Sequence, residues 1–259
     1  MRALPVRFFP VHRVDDQDLG VLLDRARQAR DLGTDGIFFF YHNPNPSRHF
    51  HLTEYIRKDM AQILTTELAG FKVGFNFHGI PPHYVHTHFD PSLSAIWVNN
   101  GGVTIDGDVD PLGAEILHRE IRRVRPDAEV FGGVAFSEDI SYPKDEKDLR
   151  RITTLSCPYI QSIVTSGSEK DEIPSERKVK IMRQAMNLRN VGRPQYLVAV
   201  SSVTLNKAEG LFKNGVNGFF VGRGVEISKG IFNEKSINAW VDTVAMFNDE
   251  IDGLQLRRS

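Results

Sequence analysis

An α/β fold of the (β/α)8 barrel type is predicted for this chain by three observations: eight short apolar runs, helical stretches between them, and a length of 259 residues. Barrels of this kind commonly use about 250 residues as one domain. The runs are Pro5–Val11, Gly36–Tyr41, Lys72–Phe77, Ala95–Val98, Glu129–Phe136, Tyr159–Val164, Gln195–Ser201 and Gly218–Val221. They are rich in Val, Ile and Phe and mostly continuous rather than alternating, as strands covered on both faces of a parallel sheet are. An open doubly wound sheet is the alternative. No low-complexity segment or linker interrupts the pattern, so residues 1–259 read as a single barrel domain.

Taken in order, the first strand leads to a helix over Asp18–Leu32, whose Leu19, Leu22, Leu23, Ala26 and Ala29 form one stripe and which Gly33 can end. After the second strand, Asn43–Thr53 reads as a rim loop, and so does Gly79–Leu93 after the third. Asp110-Pro111 opens a helix running to Val124, with proline tolerated in the first turn. Ser175-Glu176 starts another through Met186, Asn206 is placed to cap a short one ending near Gly215, and Ser236–Phe247 closes the set.

Composition excludes several classes of function. A net charge of −1 gives no field that would gather nucleic acid or an anionic membrane. No run of about 18 apolar residues occurs, so no transmembrane segment is expected. Proline and arginine break the first ten residues too early for a signal peptide. Cys157 is the only cysteine, which rules out an intrachain disulfide and fits a cytoplasmic chain. It precedes Pro158 and an apolar run with no base nearby in sequence, so a structural role is expected rather than a nucleophilic one.

In such a barrel the ligand sits where the strands end. The first strand delivers His12-Arg13; the next three deliver His42, Asn43 and Asn45, then Asn76 and His78, then Asn99 and Asn100 followed by Asp106 and Asp108. Ser137, Glu138 and Asp139 follow the fifth; Thr165, Ser166 and Ser168 follow the sixth. Neutral hydrogen-bonding side chains and histidines suit a polyhydroxylated or heterocyclic ligand better than an apolar one. Asn43, Asn76, Asn99, Asn100 and Thr165 are therefore candidate ligand contacts. Asp106 is the first candidate for acid/base work, with His42, His78 and Glu138 beside it. Asp106 next to Gly107 is also an ordinary turn aspartate.

The most specific feature follows the last two strands. Ser201-Ser202 leads into the Asn206 helix, and Gly222-Arg223-Gly224 follows the eighth strand. Barrels often bind phosphate between these loops through backbone N–H groups and a helix N-terminus. Gly222 and Gly224 permit close approach, and Arg223 can add a charge-assisted fork. Packing is the competing reason for the glycines. His78, His83, His86 and His88, with Asp90 and the preceding His49 and His51, form a histidine-rich stretch; His86-x-His88 is a chelating pattern, but the spacing matches no established zinc motif. A solvated loop is the expectation, with no metal and no cofactor.

These segments resemble the BtpA/SgcQ family of TIM-barrel proteins. The resemblance is carried by Ile163–Ser168, Val200–Asn206, Asn217–Arg223 and Ser228–Asn233, with weaker likeness at Asp35-Gly36, Val73–Asn76 and Val103–Gly107. It implies the barrel fold, and for function either photosystem I biogenesis at a membrane surface or a place among sugar operons. The chain departs from the family pattern at Tyr41–Pro46 and Asn76–Ile80, and carries Val200 and Ser202 where the family has glycine.

Three functions are weighed. The first is an enzyme acting at the glycosidic bond or ring carbon of a phosphorylated sugar, nucleoside or nucleotide, a hydrolase or transferase. The second is a non-catalytic BtpA-like assembly or regulatory factor. The third is a base-exchanging or base-hydrolysing enzyme on nucleic acid, for which Arg48, Arg57 and Lys58 are the only early candidates for a basic surface beside the rim. The expected partner is a small phosphorylated or polyhydroxylated ligand, with no strong sign of nucleic acid; a homo-oligomer is expected on general grounds.

Overall fold

The computed structural model describes residues 4–14, 19–41, 46–77, 79–103, 111–136, 143, 145–169, 172–189, 191–193, 195–228 and 231–256. Eight parallel strands close a barrel in chain order: β1 (Arg7–Val14), β2 (Gly36–Tyr41), β3 (Lys72–Phe77), β4 (Ala95–Val98), β5 (Glu129–Gly133), β6 (Ser162–Thr165), β7 (Tyr196–Ala199) and β8 (Gly218–Val221). β8 returns to pair with β1, Phe9 opposite Phe220. Around them lie α1 (Leu22–Asp31), α2 (Pro46–Tyr55), α3 (Ala61–Thr65), α4 (Pro82–Val85), α5 (Leu112–Val124), α6 (Glu146–Ser156), α7 (Glu176–Arg189), α8 (Leu205–Lys213) and α9 (Glu234–Leu256).

Strand alternation divides the core in two. One set, including Phe8, Ile37, Phe39, Phe75, Ile96, Val130, Ile163, Leu197 and Phe219, packs under the helices. The other points into the lumen, and six of its buried members are large rings: Phe9, Phe38, Trp97, Phe131, Phe136 and Phe220. Branched aliphatic residues usually fill a barrel of this size. Here Phe38 lies with its centroid 4.5 Å from Phe220 and 4.9 Å from Phe131. Glycines make the room: a Cβ on Gly74 would overlap the Phe38 ring, and one on Gly218 would reach within 2.8 Å of Val198.

The N-terminal end of the lumen is shut by charge. Arg7 grips Glu129 through two bonds of 2.6 and 2.9 Å, Lys72 Nζ sits 2.9 Å from the same carboxylate, and the Arg7 guanidinium lies 3.4 Å over the Tyr196 ring. Ser162 donates to Glu129 as well. A buried ion pair held by several hydrogen bonds plugs the floor. Closure of the chain is equally specific: Asn248 of α9 accepts from Val6 N at 2.6 Å and donates to Val6 O at 3.2 Å, while Trp240 stacks on Phe8.

Several expectations need correction. Residues 46–65, expected in part as loop, are helical: α2, a π-helical turn Ile56–Met60 and α3 run in succession. Leu52, Ile56, Met60 and Leu64 are all buried at four-residue spacing, so the core face was present in the sequence. Pro46 opens the helix rather than breaking it, since a first-turn proline gives up no hydrogen bond. The 79–93 stretch contains α4 and buries Val85, Phe89 and Leu93. Asn206 lies inside α8, whose N-cap is Thr204, and α9 runs well beyond Phe247. β5 stops at Gly133, short of Phe136, because Ala135 turns the chain at φ +54°. A two-stranded hairpin, β9 (Glu226–Ser228) with β10 (Ile231–Phe232), follows β8 without having been expected.

Cys157 is buried beneath the barrel, its thiol donating to Thr153 O at 3.2 Å; burial pushes its pKa up to about 11. That is a structural thiol. Among the described residues no helix is long and apolar enough to cross a membrane.

Candidate ligand site at the barrel mouth

The edge built after β7 and β8 is assembled by backbone. Ser201 takes φ +84°, a left-handed conformation uncommon outside glycine, and Val203 N bonds Ser201 O at 2.6 Å to close a tight turn. Thr204 then enters α8 in an extended conformation with no side-chain cap; its hydroxyl is turned to Asn206 Oδ1 instead. The first N–H groups of α8 are thus left to other acceptors. Beyond β8, Gly222 precedes a single 3-10 turn, Arg223–Val225, closed by Val225 N to Gly222 O at 3.0 Å. A Cβ on Gly224 would sit 3.7 Å from Val203 O, so the two loops touch. Gly222 has more space: its hypothetical Cβ meets only Val11 O, at 3.5 Å. Ser202, Arg223 and Gly224 are exposed, and Ser201 and Gly222 partly so. A short helix after β8 beside the β7 loop is the arrangement that commonly receives phosphate in such barrels.

Across the mouth, the lumen side is aromatic. Trp97 adjoins Phe40 and Phe136, with centroids 5.8 and 6.4 Å away, in one apolar cluster with Val11 and Val200. Two polar side chains are set into it. Asn76, fully buried, is registered between Phe40 and Trp97, and its Nδ2 donates to Asn99 Oδ1 at 2.8 Å. Asn76 Oδ1 and Trp97 Nε1 are buried and have no hydrogen-bond partner. Arg13, exposed, follows Val11 at the same parity and brings a cation to the rim beside Phe40.

The remaining candidates separate. Asn99 joins the Asn76 pair, held close because Gly133 has no Cβ to strike the Asn99 carbonyl. Asn100 Oδ1 accepts from Gly102 N at 2.7 Å and shapes the turn after β4. Thr165 is a correction: alternation with the lumen residue Val164 turns it to the helix layer, fully buried, its hydroxyl 3.5 Å from Ala135 O. His12 is turned the same way, its Nδ1 2.9 Å from Glu226 under Phe39 and Phe232. After β6, Ser168 is occupied by Glu172, whose carboxylate accepts from the N–H groups of Glu169 and Ser168 and from the Ser168 hydroxyl; these bonds hold it below the usual carboxylate range. An acid there makes the β6 loop a poor anion seat. Lys178 of α7 reaches under it, donating to Ala135 O at 2.5 Å and Ser166 O at 2.6 Å, and ties the β5 and β6 loops together.

The acid/base candidates Asp106, His42, His78 and Glu138, with Asn43, lie outside the described residues. In the histidine-rich stretch, His88 packs on Phe77 and meets Thr53 Oγ1 at 3.3 Å, and Asp90 binds Ser92. Among the described residues no three His, Cys, Asp or Glu side chains converge as metal ligands. What sequence reading missed was Phe40 and Trp97 as mouth residues. Their signal was parity: each stands two or four residues along its strand from a lumen residue.

The chain matches no protein-family model and no curated protein. Its likeness to solved structures is one of fold. A native KDPGal structure is 11% identical with a TM-score of 0.58, covering 98% of this chain and 100% of that one. Phosphoribosylanthranilate isomerase from Thermotoga maritima is 14% identical, TM-score 0.58, over 93% of this chain and 98% of that one. The (S)-3-O-geranylgeranylglyceryl phosphate synthase from Thermoplasma acidophilum, in complex with sn-glycerol-1-phosphate, is 15% identical, TM-score 0.57, over 93% of each. With the closed eight-stranded sheet, these likenesses establish a TIM barrel.

Proposed function

We propose that this barrel, as one domain over residues 1–259, is an enzyme for a small phosphorylated ligand: a sugar phosphate, nucleoside phosphate or nucleotide. The observation that carries the reading is the contact between the β7 and β8 loops, where Gly222, the Arg223–Val225 turn and the uncapped start of α8 face one edge of the mouth. Backbone N–H groups there, with the Arg223 guanidinium and Arg13 nearby, would hold the anion. Asn76 and Asn99 would meet the other end of the ligand. Asp106, His42, His78 and Glu138 follow β4, β2, β3 and β5 in sequence and are the proton-moving candidates for hydrolysis or transfer at a glycosidic or ring carbon. That the likenesses include two proteins whose names carry a phosphate ester supports the reading without assigning a reaction. A BtpA/SgcQ kinship remains part of the proposal, resting on the sequence segments alone.

Thermal denaturation in the presence of inorganic phosphate, ribose 5-phosphate and nucleoside monophosphates tests it. Stabilisation by at least one is expected, because a ligand bound only by the native state raises apparent stability. Arg223→Ala should weaken that ligand roughly 10- to 100-fold, the loss of a charge-assisted hydrogen bond of about 1.5–3 kcal/mol. A full panel with no shift overturns the reading.

A further inference from the structure

Resting on that placement of the ligand, we infer that the inner end of the mouth takes a planar heterocycle whose edge carries a hydrogen-bond acceptor beside a donor, as a lactam or an amidine edge does. Asn76 Oδ1 and Trp97 Nε1 are the basis. Asn76 and Trp97 are directly opposite each other on β3 and β4, in neighbouring strands roughly 4.8 Å apart. One atom only accepts and the other only donates. Asn76 is fully buried and Trp97 3% exposed, and neither atom has a partner. Buried polar atoms left unpaired are rare in folded proteins, and each unmade bond is unfavourable. A ligand edge with C=O beside N–H, or ring N beside N–H2, completes both at once.

Shape decides between a heterocycle and a sugar. The Trp97 ring packs against Phe220 at 5.1 Å, Phe40 at 5.8 Å and Phe136 at 6.4 Å, in one apolar cluster with Val11 and Val200. A sugar ring presents hydroxyls on every side and would leave most of them against carbon. A flat ring lays its faces on aromatic side chains and keeps its polar atoms in the plane. The phosphate edge lies on β7 and β8 and the Asn76–Trp97 pair on β3 and β4, across the same mouth. A phosphorylated nucleoside has its anion and its base at opposite ends in the same way. Both polar atoms are closed to solvent, so binding rearranges the mouth around Trp97.

Calorimetric titration of the unaltered chain with UMP, AMP and ribose 5-phosphate reads the contribution of the base. At least one of the two nucleotides should bind ten-fold or more tightly than ribose 5-phosphate; equal affinities overturn the inference while leaving the phosphate site standing. If no phosphorylated probe binds, the phosphate reading fails, and uracil against 1,3-dimethyluracil, which has no N–H to offer Asn76, decides this one: preference for uracil supports it, and equal binding or none overturns it. Asn76→Leu should weaken the nucleotide at least ten-fold more than it weakens ribose 5-phosphate. Trp97→Phe is read in the same way if the first variant does not fold, and in either variant an unchanged nucleotide preference overturns the assignment.

Discussion

Single glycines at the mouth divide into those that hold the fold and those that leave room for something else. Gly133 belongs to the first kind, because a Cβ there would overlap the Asn99 carbonyl oxygen. Gly133→Ala should lower stability by about 3 kcal/mol or more, since the obstacle is backbone rather than a side chain that can turn away; urea denaturation measures it. Gly222→Ala meets only ordinary contact at 3.5 Å and should unfold at nearly the same temperature while losing phosphate affinity. Ser201, at φ +84°, is strained as a serine, and Ser201→Gly should raise stability by roughly 1 kcal/mol. At this scale the sequence was legible where chemistry alone identifies a residue, as with the buried Cys157. It misled where direction matters: Thr165 and His12 have the right chemistry and point the wrong way. Strand parity separates them from Asn76, once the strand ends are known.

Elements were read well wherever a run of β-branched and aromatic residues had clean ends. The β2, β3, β4 and β8 limits agree with the apolar runs to the residue, each followed by a polar or glycine neighbour. The 46–65 segment failed for the opposite reason. Its first residues, Pro46-Ser47-Arg48-His49, have the composition of a loop, and the buried positions Leu52, Ile56, Met60 and Leu64 come later. Helix α8 matters most for function. Because Thr204 does not cap it through its side chain, Thr204→Ala should cost little stability, well under the roughly 1 kcal/mol of a working cap. A thermal melt distinguishes these. Loss of a full kilocalorie would mean that the hydroxyl does bond the helix, and the helix start would then be a weaker anion seat.

For the whole molecule, stability against pH is governed at the end of the barrel away from the mouth. Burial opposes ionisation of Glu129, but the hydrogen bonds and charge of Arg7, with Lys72 and Ser162, override it and hold the carboxyl down at about 2. A carboxyl that titrates lower when folded stabilises the protein above the ordinary carboxylate pKa, and that contribution is lost as pH falls toward 2. The shift from 4.5 corresponds to roughly 3 kcal/mol. Asp35 works the other way. Its burial outweighs the bond from Phe8 N at 2.8 Å and raises its pKa, so its contribution is present at low pH and fades as pH rises. Acid unfolding should therefore steepen below about pH 4.5, and Glu129→Gln should flatten that limb while destabilising the neutral protein by about 3–5 kcal/mol, as expected when buried cations lose their partner. Denaturant midpoints measured from pH 2 to pH 7 give both quantities.

The pairing of rings with glycines in the lumen has a consequence for how this barrel can change. Phe38 fills the space that Gly74 leaves, so neither position is free to vary alone: Gly74→Ala drives a methyl into the ring, and Phe38→Leu opens a void. Introduced together, the two changes should cost less than the sum of the separate ones, with a coupling of about 1–3 kcal/mol in a double-mutant cycle. Such a lumen drifts by exchange of volume across a shared boundary. Its interior can be redesigned only two residues at a time.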